Sequence, residues 1–245
     1  MRILLADIET APNTAFVWGM LDQNISHDQV KETSYILCWS AKWLGEPRTL
    51  HASVQHTPPL KMLKQIHSLL AQTDVLVTYN GGKFDVPVLN KEFVKAGLAP
   101  PSPYQQVDLY RIVRRVFRFE SNKLDSVCRV LGLGKKTKHR GFSLWVGCME
   151  GNAECWAEME KYNRNDVAIL EKLYNRLLPW MPVRPHAGVI AGKFDACPAC
   201  GVAGRLQKRG VMTARTALYQ RFQCAACGAW SRSRTKQKGV EPQYV

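Results

Sequence analysis

Asp7 and Glu9 close the first apolar run of the chain, Arg2 to Ile8, and stand two residues apart. On a strand, side chains alternate between faces, so both carboxylates project to the same side and can share one cation. Two further patterns follow in order. Asn80-Gly-Gly-Lys-Phe84-Asp85 comes directly after the apolar run Asp74 to Tyr79, and Tyr162-Asn-Arg-Asn-Asp166 lies inside the longest helical pattern, Glu154 to Leu178. Residues four apart on a helix are neighbours, with Cβ atoms ~6 Å apart. From the chain's own composition, chance would bring the three patterns together on the order of once in a thousand. Four converging carboxylates disfavour one another's ionisation. Hard divalent cations that prefer oxygen, Mg²⁺ or Mn²⁺, are the natural remedy. Two such ions ~3.5–4 Å apart activate a water and stabilise the leaving oxygen of an in-line phosphodiester displacement. Hydrolysis of nucleic acid at Asp7, Glu9, Asp85 and Asp166 is therefore the expected chemistry.

A second constellation lies near the other end. Cys197-Pro-Ala-Cys200 and Cys224-Ala-Ala-Cys227 are two knuckles, each followed by glycine. Four thiolates suit one tetrahedral Zn²⁺, and a closed four-cysteine site has a structural role. A redox site needs only one such pair, so two favour zinc. Around the knuckles Tyr219, Arg221, Phe222, Trp230, Arg232 and Arg234 interleave aromatic and cationic groups, which suits stacking on bases while contacting phosphates. Cys38, Cys128, Cys148 and Cys155 show no ligand spacing and read as buried thiols.

The elements that must position these groups can be read from periodicity. Arg2 to Ile8, Tyr35 to Trp43, Thr49 to Val54 and Asp74 to Tyr79 read as strands. Helices are expected from Pro58 and Pro59 to Leu70, from Phe84 to Ala96, over Asp108 to Phe117 and Leu124 to Leu131, and over Glu154 to Leu178. Gly81 and Gly82 permit a sharp turn before Asp85. Tyr104-Gln-Gln-Val-Asp108 repeats the Tyr-x-x-x-Asp spacing but follows prolines at 100, 101 and 103, so Asp108 reads as a helix cap. Gly132 to Phe142, with Lys135, Lys136, Lys138, His139 and Arg140, reads as a mobile basic loop whose cations are solvated and not catalytic, though able to contact phosphate. Strands first and alternating helices and strands later imply an α/β sheet covered by helices. The expected domains are residues 1–182, a proline- and glycine-rich linker at 183–192, and a zinc ribbon at 193–235 containing a strand over Thr216 to Gln223. Residues 236–245 read as a disordered, solubilising tail.

The three acidic patterns resemble the Exo I, II and III motifs of the DEDD 3′–5′ exonucleases, over about Met1 to Leu178. The resemblance implies a ribonuclease H-like mixed sheet flanked by helices. Tyr79 to Leu89, with Pro87 and Leu89 after Phe84-Asp85, is especially similar to the proofreading domain of family-B DNA polymerases, although no polymerase domain follows. Tyr162 implies the tyrosine branch of the family, since Lys161 stands where the histidine branch needs His. The resemblance also implies roles. Asp7 would bridge two Mg²⁺ or Mn²⁺ ions, Glu9 and Asp166 would hold the nucleophile-side ion, Asp85 would help hold the second, and Tyr162 would orient the attacking water. Thr10, Asn80 and Phe84 would lie along the substrate. A free linker and ribbon resemble the layout of exonucleases encoded by bacteriophages.

With 34 Lys and Arg against 20 Asp and Glu in 245 residues, the net charge of +14 favours a polyanionic partner. From residue 191 onward there are ten basic residues against Asp195 and Glu241, so that segment carries +8 and the rest +6. The apolar run after Met1 is too short for a secretory or membrane segment, so a cytoplasmic location (the host's, for a phage protein) without membrane attachment is expected. Single-stranded or frayed 3′ ends of DNA are the expected partner, more than RNA. Two rival readings stay open: a non-catalytic nucleic-acid-binding protein that works through the ribbon, and a structure-specific endonuclease with the same metal site.

Overall fold

The computed structural model describes residues 2–182, 185–190, 192–214 and 216–239. The chain separates into two compact units, residues 2–173 and 174–245.

The first unit is built on a five-stranded mixed sheet. Its strands are β1 (Ile3–Thr10), β4 (Ile36–Trp43), β5 (Leu50–Ser53), β6 (Val75–Thr78) and β7 (Gln105–Asp108), and two short strands, β2 (Thr14–Ala15) and β3 (Val30–Glu32), pair with each other. The order across the sheet is β5-β4-β1-β6-β7. β1 runs antiparallel to β4 and parallel to β6. The helices are α1 (Pro59–Ala71), α2 (Asp85–Lys95), α3 (Leu109–Val116), α4 (Leu124–Val130), α5 (Ser143–Met149) and α6 (Ala153–Leu177).

Alternation along β1 decides which helix meets which face. Leu4, Ala6 and Ile8 pack with Met62, Leu63 and Ile66 of α1 and with Val86, Leu89 and Phe93 of α2. A second apolar cluster joins Leu37 and Cys38 of β4 to Leu144 and Cys148 of α5 and to Cys155, Met159 and Tyr162 of α6. Asp7 and Glu9 occupy the alternate positions of β1, so they face α6.

The strands and helices expected in this unit are present, with ends shifted by a residue or two. Three short elements, β2, β3 and α5, and the edge strand β7 carry too few periodic apolar residues to be read in advance. β7 begins with exposed Gln105 and Gln106 and is held by its parallel pairing to β6, from Val75 opposite Gln105 to Thr78 opposite Asp108.

The turn between β6 and α2 differs in detail from expectation. The left-handed residue is Asn80, at φ 67°, and neither glycine is in that region. Asp108 makes this conformation tolerable: its Oδ1 accepts from Asn80 N–H at 2.8 Å and from Tyr110 N–H at 3.1 Å, so the expected cap of α3 also pins the turn. Gly81 is needed for space. A Cβ there would lie 2.5 Å from Cβ and Oγ1 of buried Thr78.

The second unit carries an antiparallel meander of β8 (Leu206–Ala214), β9 (Ala217–Cys224) and β10 (Trp230–Gly239). Two stretches of this unit differ from expectation. The expected disordered tail is strand as far as Gly239, with Lys236 paired to Tyr219 and Lys238 to Leu218, while residues 240–245 lie outside the described residues. Backbone pairing holds this edge, and its basic side chains stay in solvent, as suits an edge strand. Composition alone cannot register that. In the expected linker, residues 187–190 form a helical turn, and Ala187 N–H donates to Pro198 O at 2.9 Å, so this stretch belongs to the folded ribbon unit. Residues 183, 184 and 191 of that linker lie outside the described residues.

Gly81→Ala is expected to cost about 1–3 kcal/mol of stability, the usual penalty for overpacking a rigid site. Urea denaturation of the two proteins measures it, and a loss below about 0.5 kcal/mol would show that Thr78 yields freely.

Candidate metal centre and nucleic-acid interface

Asp7, Glu9 and Asp166 each bring a carboxylate oxygen to one place, all within 4.8 Å of one another. β1 supplies the first two at its carboxyl end. α6 supplies the third from its buried face, one turn after Tyr162. The parallel ladder between β1 and β6 stops at Leu5 opposite Val77, and beyond it the N–H of Ile8 is taken by Asp85 Oδ1 at 3.1 Å. Asp85, in the first turn of α2, thus approaches from the opposite side of the sheet. It stands outside the three-carboxylate group but close enough to act on the charge of Asp7. Crevices at strand carboxyl ends, where neighbouring connections diverge, are where α/β sheets bind ligands.

Neutral donors fix the carboxylates. Asn163, fully buried, donates Nδ2–H to Asp7 Oδ2 at 2.7 Å, and Trp145 Nε1–H donates to Glu9 Oε2 at 3.1 Å. His139, Trp145 and Tyr162 pack edge to face, with centroids 4.9–6.1 Å apart. The Tyr162 hydroxyl lies beside Asp166 and accepts from Lys136 Nζ at 2.9 Å. Lys136 Nζ also forms an ion pair with Asp166 Oδ2. Asp125 Oδ1 accepts from Lys136 N–H at 2.8 Å and Lys135 O accepts from Asn165 Nδ2 at 3.1 Å, so the loop is tied at two points.

This overturns the reading of the 132–142 loop as wholly solvated cations. Lys136 turns inward because it is the counter-charge to a buried helix carboxylate, a need that becomes visible only once Asp166 is placed. Asn163 and Trp145 were also missed. Asn163 lies beside Tyr162 in the third motif, and a polar residue on the apolar face of α6 was the available signal.

Burial dominates the electrostatics. It pushes Asp7 well above the usual carboxylate range, with Asp85 and then Glu9 adding to the shift. Burial also raises Glu9 to about 7 against the opposing Trp145 bond, and Asp85 to about 6 against the Ile8 N–H. Asp166 is raised by burial and drawn back by Lys136. Its Oδ1 is buried with no hydrogen-bond partner. An unpartnered buried carboxylate oxygen beside two more carboxylates fits a hard divalent cation.

A cleft of about 560 Å³ opens beside Asp7 and is lined by Tyr79, Asn80, Tyr110, Lys123 and Lys136. Asn80 and Tyr110 also line an adjoining pocket of about 290 Å³ with Lys83, Arg111, Arg114 and Arg115. The α3 arginines were not singled out from sequence, since a basic helix face looks the same whether or not it borders a cleft. Phe84 precedes Asp85 with 44% of its surface exposed, and Thr10 is half-buried at the end of β1.

A family model described as the RNase_H superfamily matches residues 4–178. The chain belongs to the ribonuclease H superfamily. Its ribonuclease H domain is similar in fold to the family B DNA polymerase of the hyperthermophilic archaeon Pyrobaculum calidifontis. That match has a TM-score of 0.56 and 17% identity, covering 73% of this chain and 25% of the polymerase, so the chain spans a quarter of the polymerase's length. RNase D of Trypanosoma brucei is a second neighbour, with a TM-score of 0.49 and 19% identity over 82% of this chain and 67% of that one. No curated protein matches the sequence.

Beyond the ribonuclease H domain, the four sulfurs of Cys197, Cys200, Cys224 and Cys227 lie within 4.8 Å of one another. Cys197 to Cys227 is 3.8 Å and Cys200 to Cys224 is 3.9 Å. Tetrahedral thiolates at the usual Zn–S distance are ~3.8 Å apart, so the cluster fits zinc. On one face of the meander, Arg232 lies over the Tyr219 ring at 3.9 Å and Arg221 over the Trp230 ring at 4.8 Å. Phe222 is the alternate residue of β9, half-buried on the other face. Tyr219, Arg221, Trp230 and Arg232 therefore share a face, and Phe222 does not.

Two outcomes follow. Because folding raises the pKa of these carboxylates, the stability they contribute without metal is complete below about pH 4 and is lost as pH rises through about 6–7. In chelator, the melting temperature should fall between about pH 5 and pH 8, less so in Glu9→Gln, while Mn²⁺ affinity by calorimetry rises over the same window. A chelated protein that gains stability across that range would contradict the clustering. For the ribbon, purified protein should carry one zinc per chain, released on acid treatment in a colorimetric assay, and Cys224→Ser should carry less than a tenth of it.

Proposed function

We propose that the protein is a 3′–5′ exonuclease that hydrolyses nucleic-acid phosphodiesters and releases 5′-nucleotides, acting on DNA in preference to RNA. The convergence of Asp7, Glu9 and Asp166 around the unpartnered Asp166 Oδ1 carries this reading. Membership of the ribonuclease H superfamily and the resemblance of the three motifs to DEDD exonucleases support it.

Asp7, Glu9 and Asp166 would hold two Mg²⁺ or Mn²⁺ ions, with Asp85 assisting from the α2 side. When bound, these supply Lewis-acid stabilisation of the attacking and leaving oxygens. The chain's own groups do the rest. Tyr162, fixed between Lys136 and Asp166, orients the attacking water through its hydroxyl. Asn163 and Trp145 keep the oxygens of Asp7 and Glu9 aimed into the site without adding charge. Lys83, Arg111 and Arg114, with the Asn80 turn, hold backbone phosphates of a strand entering the cleft. The exposed ring of Phe84 offers a stacking surface to a base at the strand end. In the ribbon, Tyr219, Arg221, Trp230 and Arg232 bind single-stranded nucleic acid by stacking and phosphate contact.

A time course with Mn²⁺ on 5′-labelled single-stranded DNA and RNA tests the proposal. A descending ladder, faster on DNA, is expected, whereas a jump to internal fragments indicates an endonuclease. Asp7→Asn should abolish hydrolysis with little loss of strand binding, and activity within tenfold of wild type would refute its role. Tyr162→Phe should slow hydrolysis by about 10²-fold or more while leaving Mn²⁺ affinity unchanged.

A further inference from the structure

A separate cavity of about 710 Å³ lies between α1 and strands β4 and β5, on the edge of the sheet away from β6 and β7. Its size falls in the ordinary range for a small-molecule pocket. Arg48, Lys61, Lys64 and Arg164 stand around it, Leu50 and Leu69 give it apolar surface, and no carboxylate lines it. Glu160 pairs with Arg164 at 2.7 Å, and Arg164 also donates to Thr49 O. Among the described residues, Arg48, Lys61 and Lys64 have no ion-pair partner within 4.0 Å. Cations gathered around one concavity without acids repel one another, and an anion with several oxygens relieves that repulsion. The apolar side of the pocket asks for a flat or greasy portion on the same ligand.

The wall of this cavity also carries an imidazole. His51 lines it, and its Nδ1 lies 2.9 Å from Ser40 Oγ. Asn163 lies close enough to act on the charge of His51, and its Nδ2–H donates to Asp7 Oδ2 at 2.7 Å.

We propose that this cavity is a second binding site, for a nucleoside phosphate, with the phosphate among Arg48, Lys61 and Lys64 and the base against Leu50 and Leu69. The inference rests on the cavity's own chemistry and does not require the nuclease reading. The ligand is either a free nucleotide or one nucleotide unit of a strand.

The test is calorimetric titration of full-length, metal-free protein in chelator with adenosine 5′-monophosphate, inorganic phosphate and a hexathymidylate. Lys61 and Lys64 are exposed on α1, so Lys61→Glu/Lys64→Glu leaves the core and the metal centre untouched. Saturable binding of the monophosphate is expected, weakened at least about tenfold in the double variant, the loss of one charge-assisted hydrogen bond. The His51 imidazole resonances should shift on addition of the monophosphate to wild type and stay unmoved in the variant. Tighter binding of the hexamer with the same sensitivity would assign the pocket to a strand, and equal affinity per site to a free nucleotide. Unchanged binding in the double variant would overturn the proposal, as would inorganic phosphate binding as tightly as the nucleotide. So would absence of binding by all three probes.

Discussion

Everything near the carboxyl end of β1 is organised by the cost of holding several carboxylates in a partly desolvated place. Burial makes ionisation of Asp7, Glu9, Asp85 and Asp166 unfavourable, and their mutual repulsion adds to it. Such a cluster persists only where the fold supplies positive charge or donors at fixed positions, or where cations are taken up. This protein does the first with a single ammonium. Lys136 reaches back from a glycine-flanked loop to Asp166 and Tyr162, and the loop is tied down by Asp125 and Asn165.

The remaining acids are aimed by groups that carry no charge. Asn163, Trp145 and the N–H of Ile8 each satisfy one carboxylate oxygen without adding charge. A charged partner at each would neutralise the cluster and remove its affinity for cations. A neutral donor fixes orientation and keeps the charge available. The end of the β1–β6 ladder at Leu5 matters for the same reason, since an N–H used in sheet pairing would be denied to Asp85.

Positive charge elsewhere is distributed in three separate places: the α3 side of the cleft, the pocket under α1, and the arginine-over-aromatic face of the ribbon. In the ribbon, four sulfurs at zinc spacing can cross-link a small unit through one ion.

Much of this was legible in the chain itself. Period-two alternation put Asp7 and Glu9 on one face, the i, i+4 spacing put Tyr162 and Asp166 on one helix face, and paired Cys-x-x-Cys knuckles marked the ribbon, because these relations are set by local geometry. Asp108 was readable as a cap for the same reason. The tertiary structure alone decided which distant groups complete the site. Lys136 lies 30 residues before Asp166, Trp145 lies 136 residues after Glu9, and β10 is ordered by its register with β9 although its composition reads as solvated tail. A lysine in a basic loop, an indole in a short helix and a run of edge-strand cations have no periodic signature. Their roles come from counter-charge, hydrogen-bond satisfaction and backbone pairing, which exist only between segments that folding brings together.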